Sequence, residues 1–121
     1  MASRFERLRT EMNEAMARVF DEVDFVISAT NPDVAFGADV GLNTMVDGLS
    51  VGPENNGALT IPANTVGNPA ISIPAGTVRG RPVGLQVMSR RHYDALLLEL
   101  ALVAERERLA AGRPGRARVT L

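Results

Sequence analysis

The stretch from Thr60 to Met88, TIPANTVGNPAISIPAGTVRGRPVGLQVM, constrains this chain more than any other. Pro62, Pro69, Pro74 and Pro82 fall within it, as do Gly67, Gly76, Gly80 and Gly84. Proline fixes φ and removes a donor, and glycine opens positive φ, so together they cut the stretch into short pieces. Two pieces, Pro69–Pro74 and Pro82–Met88, contain β-branched residues and read as strands. Ile71 and Ile73 share one face, because side chains alternate along a strand. The polar run 75–81 between them, with two glycines, predicts a β-hairpin. Upstream, Thr60 is placed to cap a short helix, Pro62 is tolerated in its first turn, and Gly67 ends it in the left-handed conformation.

The flanks are simpler. Ser3 and Glu6 form a capping-box pattern. Behind it Phe5, Leu8, Met12, Ala15, Met16, Val19 and Val23 repeat every three or four residues, which predicts one apolar stripe on a helix over 4–22. Asp24–Ala29 is a short apolar run, read as a buried strand. From Thr30 to Gly57 periodicity is lost and turn dipeptides take over: Asn31-Pro32, Asp47-Gly48, Gly52-Pro53 and Asn56-Gly57. A loop of that length is either a binding surface or disordered in an incomplete fold. A last helix is predicted from near Arg91–Tyr93 to about Leu109, with Leu96, Leu97, Leu100, Val103 and Ala104 as its stripe. Gly112, Pro114 and Gly115 end it, and the Arg-rich tail 111–121 is expected to be mobile. Alternating helices and strands place the chain in the α/β class.

Composition removes several function classes. The net charge of −1 gives no electrostatic footprint for nucleic acid. No apolar run is long enough to span a bilayer, and the first residues lack a signal-peptide core, so the cytoplasm is the expected compartment. There is no cysteine. All thirteen basic residues are arginine. Arginine stays protonated, so chemistry that needs a neutral lysine amine is closed to this chain.

Few residues remain as candidates. His92 stands alone between Arg91 and a helix start, and one histidine makes no metal site. Asp33, Asp39 and Asp47 do not match a calcium loop. Neither metal nor cofactor is expected. Ser28, Ser50, Ser72 and Ser89 lack a Gly-x-Ser-x-Gly elbow and a base in sequence reach. The best candidate is the loop Gly52–Gly57, where Asn55, Asn56 and Gly57 gather amides and flexible backbone able to orient an amide substrate. The competing reading is a turn with local Asn-to-backbone bonds.

The pattern T-x-P-A-N-x-x-G-x-P-A-I-S-I-P-x-G from Thr60, followed by G-x-P-V-G-L-Q-V-M from Gly80, resembles the C-terminal part of the amidase signature family. The resemblance runs from Val23–Thr30 to about Arg108. It implies that 1–110 is the C-terminal portion of an amidase domain, incomplete on its own. The implied fold is part of a mixed sheet flanked by helices, with a long irregular loop and a β-hairpin. The implied activity is hydrolysis of a small amide. The family's Ser-Ser-Lys triad lies upstream of this region, so no catalytic residue carries over. The chain also resembles the family's members within the glutamine-using transfer-RNA amidotransferases. There an Asp near the position of Gly57 holds the substrate ammonium; glycine cannot, which points to a broader amidase. Alone, such a chain is expected to be inactive and to self-associate or bind a complementary chain. The alternative is a stand-alone interaction module or inactive remnant derived from an amidase.

Overall fold

The computed structural model describes residues 3–111. The expected tail therefore lies outside the described residues, apart from Ala111.

Helix α1 (Arg4–Glu22) begins with the full capping box: Glu6 N–H donates to Ser3 Oγ at 3.2 Å, and Ser3 N–H to Glu6 Oε2 at 2.6 Å. Two amide donors are thereby satisfied where the helix has no partners of its own. Strand β1 (Phe25–Ala29) follows, one residue shorter than expected because Asp24 stays outside the pairing. The two longest strands, β4 (Ala70–Val78) and β5 (Arg81–Ser89), form the predicted hairpin. Its connection differs from expectation. Both strands run into the polar stretch and leave only Arg79-Gly80 at the tip, with φ of 51° and 74°. Two positive φ values make a primed turn, whose twist matches that of the flanking strands. The extra residues are absorbed by a register break between Pro74 and Thr77, where Gly76 has φ 102°.

The sheet order is β1-β5-β4, and every pairing in it is antiparallel. Helices cover both faces. Met88 and Val26 point to one side and meet Phe20 and Met16 of α1 and Ala63 of the short helix α2 (Ile61–Val66). Val87 and Ile71 point to the other and meet Leu97, Leu100 and Ala101 of helix α3 (Asp94–Ala110). Ile73 joins Ile71 there, as the alternation predicts. Gln86 and Ser89 are the buried polar residues of β5, and Gln86 is 3% exposed. Its Nε2 donates to Leu59 O at 2.7 Å and Ser28 Oγ at 3.2 Å, tying the sheet to the turn before α2.

Three expectations are corrected. Thr60 does not cap α2 with its side chain: the hydroxyl donates to Gly57 O at 3.3 Å, since a 3-10 helix (Pro53–Gly57) runs almost directly into α2. Gly67 ends α2 as predicted, at φ 86°. The segment from Thr30 is not featureless: it holds the small hairpin β2 (Met45–Val46) and β3 (Leu49–Ser50), turned at Asp47-Gly48 with φ of 50° and 75°. Finally, most of the predicted stripe of α1 is uncovered: Met16 packs on the core, while Phe5, Leu8, Val19 and Val23 are 41–85% exposed, and the buried residue of the helix is Phe20, outside that stripe.

Candidate functional site

An open groove of about 580 Å³ lies where the end of β1 meets β5 and the hairpin tip. Val83, Gly84 and Leu85 of β5 and Ala29 of β1 line one side, and the segment Asn31–Phe36 the other. Asn43 and Asn56 line it from the long segment, Val78 and Arg79 from the hairpin. Aliphatic side chains and prolines make about half of the lining, Phe36 is its one aromatic ring, and Asn31, Asp33, Asn43, Asn56 and Arg79 are its polar side chains. Such a mixture suits a small organic molecule with an apolar body and polar groups to orient.

A run of polar contacts holds the wall in place. Asp33 Oδ1 accepts from Val34 N–H at 2.7 Å and from the Arg79 guanidinium at 3.3 Å. Arg81, across the turn from Arg79, donates to Ala35 O at 2.5 Å. Asn43 Nδ2 donates to Val34 O at 3.1 Å, and Asn56 Nδ2 to Asn43 O at 3.4 Å and Pro53 O at 3.3 Å. The hairpin tip is thus linked to the 3-10 helix through the loop wall. In the Arg79–Asp33 pair the arginine side chain is 71% exposed and the aspartate 29%, so solvent screens the pair from the arginine side and it contributes about 1 kcal/mol or less.

The structure separates the three residues that the sequence points to. Asn56 lines the groove, but its amide donors serve the local backbone. Asn55 makes turn contacts, its N–H donating to Gly52 O and its carbonyl accepting from Ala58 N–H. Gly57 accepts from Thr60 N–H at 3.0 Å, and a Cβ there would stand 2.7 Å from Ile61 Cδ1. The sequence does not point to Asp33, Asn43 and Arg79 as groove residues, nor to Arg81 as a tie to its wall. The signal for the two arginines is an Arg-Gly-Arg sequence at a hairpin tip, which becomes meaningful only once the tip is two residues long.

Three of the four candidate serines, Ser72, Ser28 and Ser89, are occupied structurally, and Ser50 is exposed in β3. Ser72 Oγ and Thr30 Oγ1 are 2.6 Å apart over Gly84, where a Cβ would lie 2.3 Å from the first and 2.7 Å from the second. Ser28 Oγ donates to Ala29 O at 3.0 Å and accepts from Gln86. Ser89 is buried, and its hydroxyl reaches Arg90 O at 3.5 Å. The arginines beside His92 close helix ends: Arg90 Nε donates to Phe20 O at 2.9 Å, and Arg91 donates to Val66 O and, at 2.9 Å, to Asn13 Oδ1. His92 itself is exposed, at φ 68°. No group of three or more His, Asp or Glu side chains that could hold a metal ion occurs among the described residues. No helix among them is long and apolar enough to cross a membrane.

Known proteins resemble this chain along most of its length. The A subunit of the glutamyl-tRNA(Gln) amidotransferase of Listeria welshimeri is 34% identical over 102 residues, which is 84% of this chain and 20% of that protein. A bacterial aryl acylamidase of the amidase signature enzymes superposes with a TM-score of 0.61 at 28% identity, over 72% of this chain and 19% of the other. A chain from a vestigial complex bearing on the origins of an s-triazine catabolic enzyme shares the fold. Its TM-score is 0.74 at 23% identity, over 95% of this chain and 24% of that one. The chain spans about a fifth of the length of the curated relatives it matches. The sequence profile of the Amidase family matches residues 2–98. With that match running through the capped first helix, the hairpin and the start of the last helix, the chain belongs to the amidase signature family.

Proposed function

We propose that this chain is the C-terminal portion of an amide C–N hydrolase. On this reading residues 1–110 supply scaffold and part of the substrate pocket, and the Ser-Ser-Lys triad is supplied from elsewhere. The observation that carries the proposal is a family match over most of a chain that has no lysine. The hydroxyls of Ser28, Ser72 and Ser89 support it, being engaged with Thr30, Gln86 and backbone carbonyls rather than with a base. The pocket contribution is the groove between Asn31–Phe36 and β5, with Asn56 at its border and Asn55 and Gly57 shaping the turn behind it. Its apolar part, Val34, Ala35, Phe36, Val83 and Leu85, suits the aryl or alkyl body of a small amide, and its charged groups Asp33 and Arg79 are paired with each other. Gly57 offers no charge to hold an ammonium group.

The test is turnover of a simple anilide by the purified chain. No hydrolysis above a mock preparation is expected, and clear turnover would overturn the scaffold assignment.

A second reading, a non-catalytic interaction module derived from an amidase, is favoured by one observation. The outer side of α3 is uncovered: Leu98, Leu102, Val103 and Leu109 are between 46% and 60% exposed. From Ala95 to Ala104 the helix carries one charge, Glu99, and so broad an apolar surface is normally covered. On this reading the chain self-associates or binds a complementary chain.

A further inference from the structure

Two asparagines of the groove lining, Asn43 and Asn56, have committed their amide hydrogens to the main chain. Asn56 Nδ2 faces two backbone carbonyls, Asn43 O at 3.4 Å and Pro53 O at 3.3 Å. A carbonyl oxygen only accepts, so the atom that faces it is the amide nitrogen, and this settles which way round the side chain stands. Both amide hydrogens of Asn56 are thereby used. The polar atom it keeps for a ligand is Oδ1. The same argument orients Asn43, whose Nδ2 donates to Val34 O at 3.1 Å. Asn56 is bonded to the backbone of Asn43, so the two side chains stand together in the lining.

Charge does not reverse this balance. Among the described lining residues Asp33 is the one acid and Arg79 the one base, and they pair at 3.3 Å. Asp33 Oδ1 also takes the Val34 N–H. The cation that a ligand carboxylate would seek is therefore engaged, and so is the anion that an ammonium group would seek.

We propose that Asn43 and Asn56 set specificity in this groove through their Oδ1 atoms, which select a neutral amide by its N–H hydrogens. The amide N–H donates to the two oxygens, and the apolar body lies against Val34, Phe36, Val83 and Leu85. A carboxylate on the same body meets lone pairs where it needs donors, and a tertiary amide has no hydrogen to give. A polar group left facing a ligand that cannot answer it discriminates more strongly than a change in apolar size. In an open groove water competes for each bond, so the preference is about tenfold. The inference rests on the reading of the groove as part of an amide pocket and adds the sense in which that pocket hydrogen-bonds.

The test is a titration of the whole chain with benzamide, N,N-dimethylbenzamide and benzoate, which share one ring, followed by residue-resolved amide NMR. Benzamide is expected to shift the side-chain amide signals of Asn43 and Asn56 and the main-chain signals of Val34 and Leu85. It should bind about tenfold more tightly than either of the other two. Asn56→Leu keeps the side-chain volume and removes Oδ1, so the preference for benzamide over its dimethyl derivative falls towards one. Asn43→Leu acts in the same direction and serves if the first variant does not fold. Groove shifts with equal affinity for benzamide and the dimethyl derivative, or with benzoate as tight as benzamide, overturn the inference and leave the pocket reading standing. So does a preference that survives both leucines. Shifts confined to other parts of the chain, or no binding by any of the three, overturn the inference and the pocket reading together.

Discussion

The hairpin with its helices and the segment from Thr30 to Gly57 are neighbours held by different forces. In the first, aliphatic side chains close both faces of the sheet, and Val87, Ile71 and Leu97 are each no more than 5% exposed. In the second, most residues are exposed or half-exposed, and position is set by two arginines, an Asp turn and two Asn amides. Burial is non-directional and tolerates detail, whereas hydrogen bonds to backbone carbonyls fix a loop only where geometry is met. The groove sits on the seam: one side takes its rigidity from β5, and the other takes its shape from polar ties.

Substitutions can break that contrast, and the largest effect belongs to the apolar side. Leu97→Ala should cost about 2–5 kcal/mol by leaving a cavity under α3. A urea midpoint that barely moves would mean that α3 is not docked on the hairpin. Gly84→Ala comes next. Its Cβ meets Ser72 and Thr30 hydroxyls, so it should cost about 1–3 kcal/mol, with part recovered in the double variant Gly84→Ala, Ser72→Ala. A neutral Gly84→Ala would show that the hydroxyl pair yields freely. Gln86→Ala strands Leu59 O and removes a bond to Ser28, for a loss of about 1–3 kcal/mol by thermal melting. An unchanged melt would remove the buried amide as the link between the two regions.

The smallest expected effect sharpens the contrast most. Arg79→Ala should change global stability by less than about 1 kcal/mol and still accelerate amide exchange at Val34. In the unmodified chain, added salt should produce the same local acceleration, because an exposed ion pair is screened. A large global loss would mean that the hairpin tip and the loop unfold with the core.

Much of the frame is legible in the sequence, because it rests on local chemistry. Ser3 and Glu6 satisfy each other within one turn, so the start of α1 needs no tertiary information. Gly67 ends α2 in the left-handed conformation for the same reason, and β-branched runs between prolines make the hairpin strands. The groove is less legible. Asn56 stands out for its amide, yet what it does depends on Asn43, thirteen residues away. Asp33 and Arg79 are forty-six residues apart and acquire meaning only when the hairpin folds back.

Periodicity orders the stripe of α1 but does not say how much of it finds cover. Phe5 and Met16 look alike in the sequence, and only packing distinguishes the exposed ring from the docked thioether. Local propensity and capping depend on neighbours a few residues away, so residue order alone determined α1, α3 and the strands of the main hairpin, but not the 3-10 helix or the β2-β3 hairpin. Which wall meets β5 and which apolar face lacks a cover depend on contacts across the chain, and those were decided when the hairpin closed.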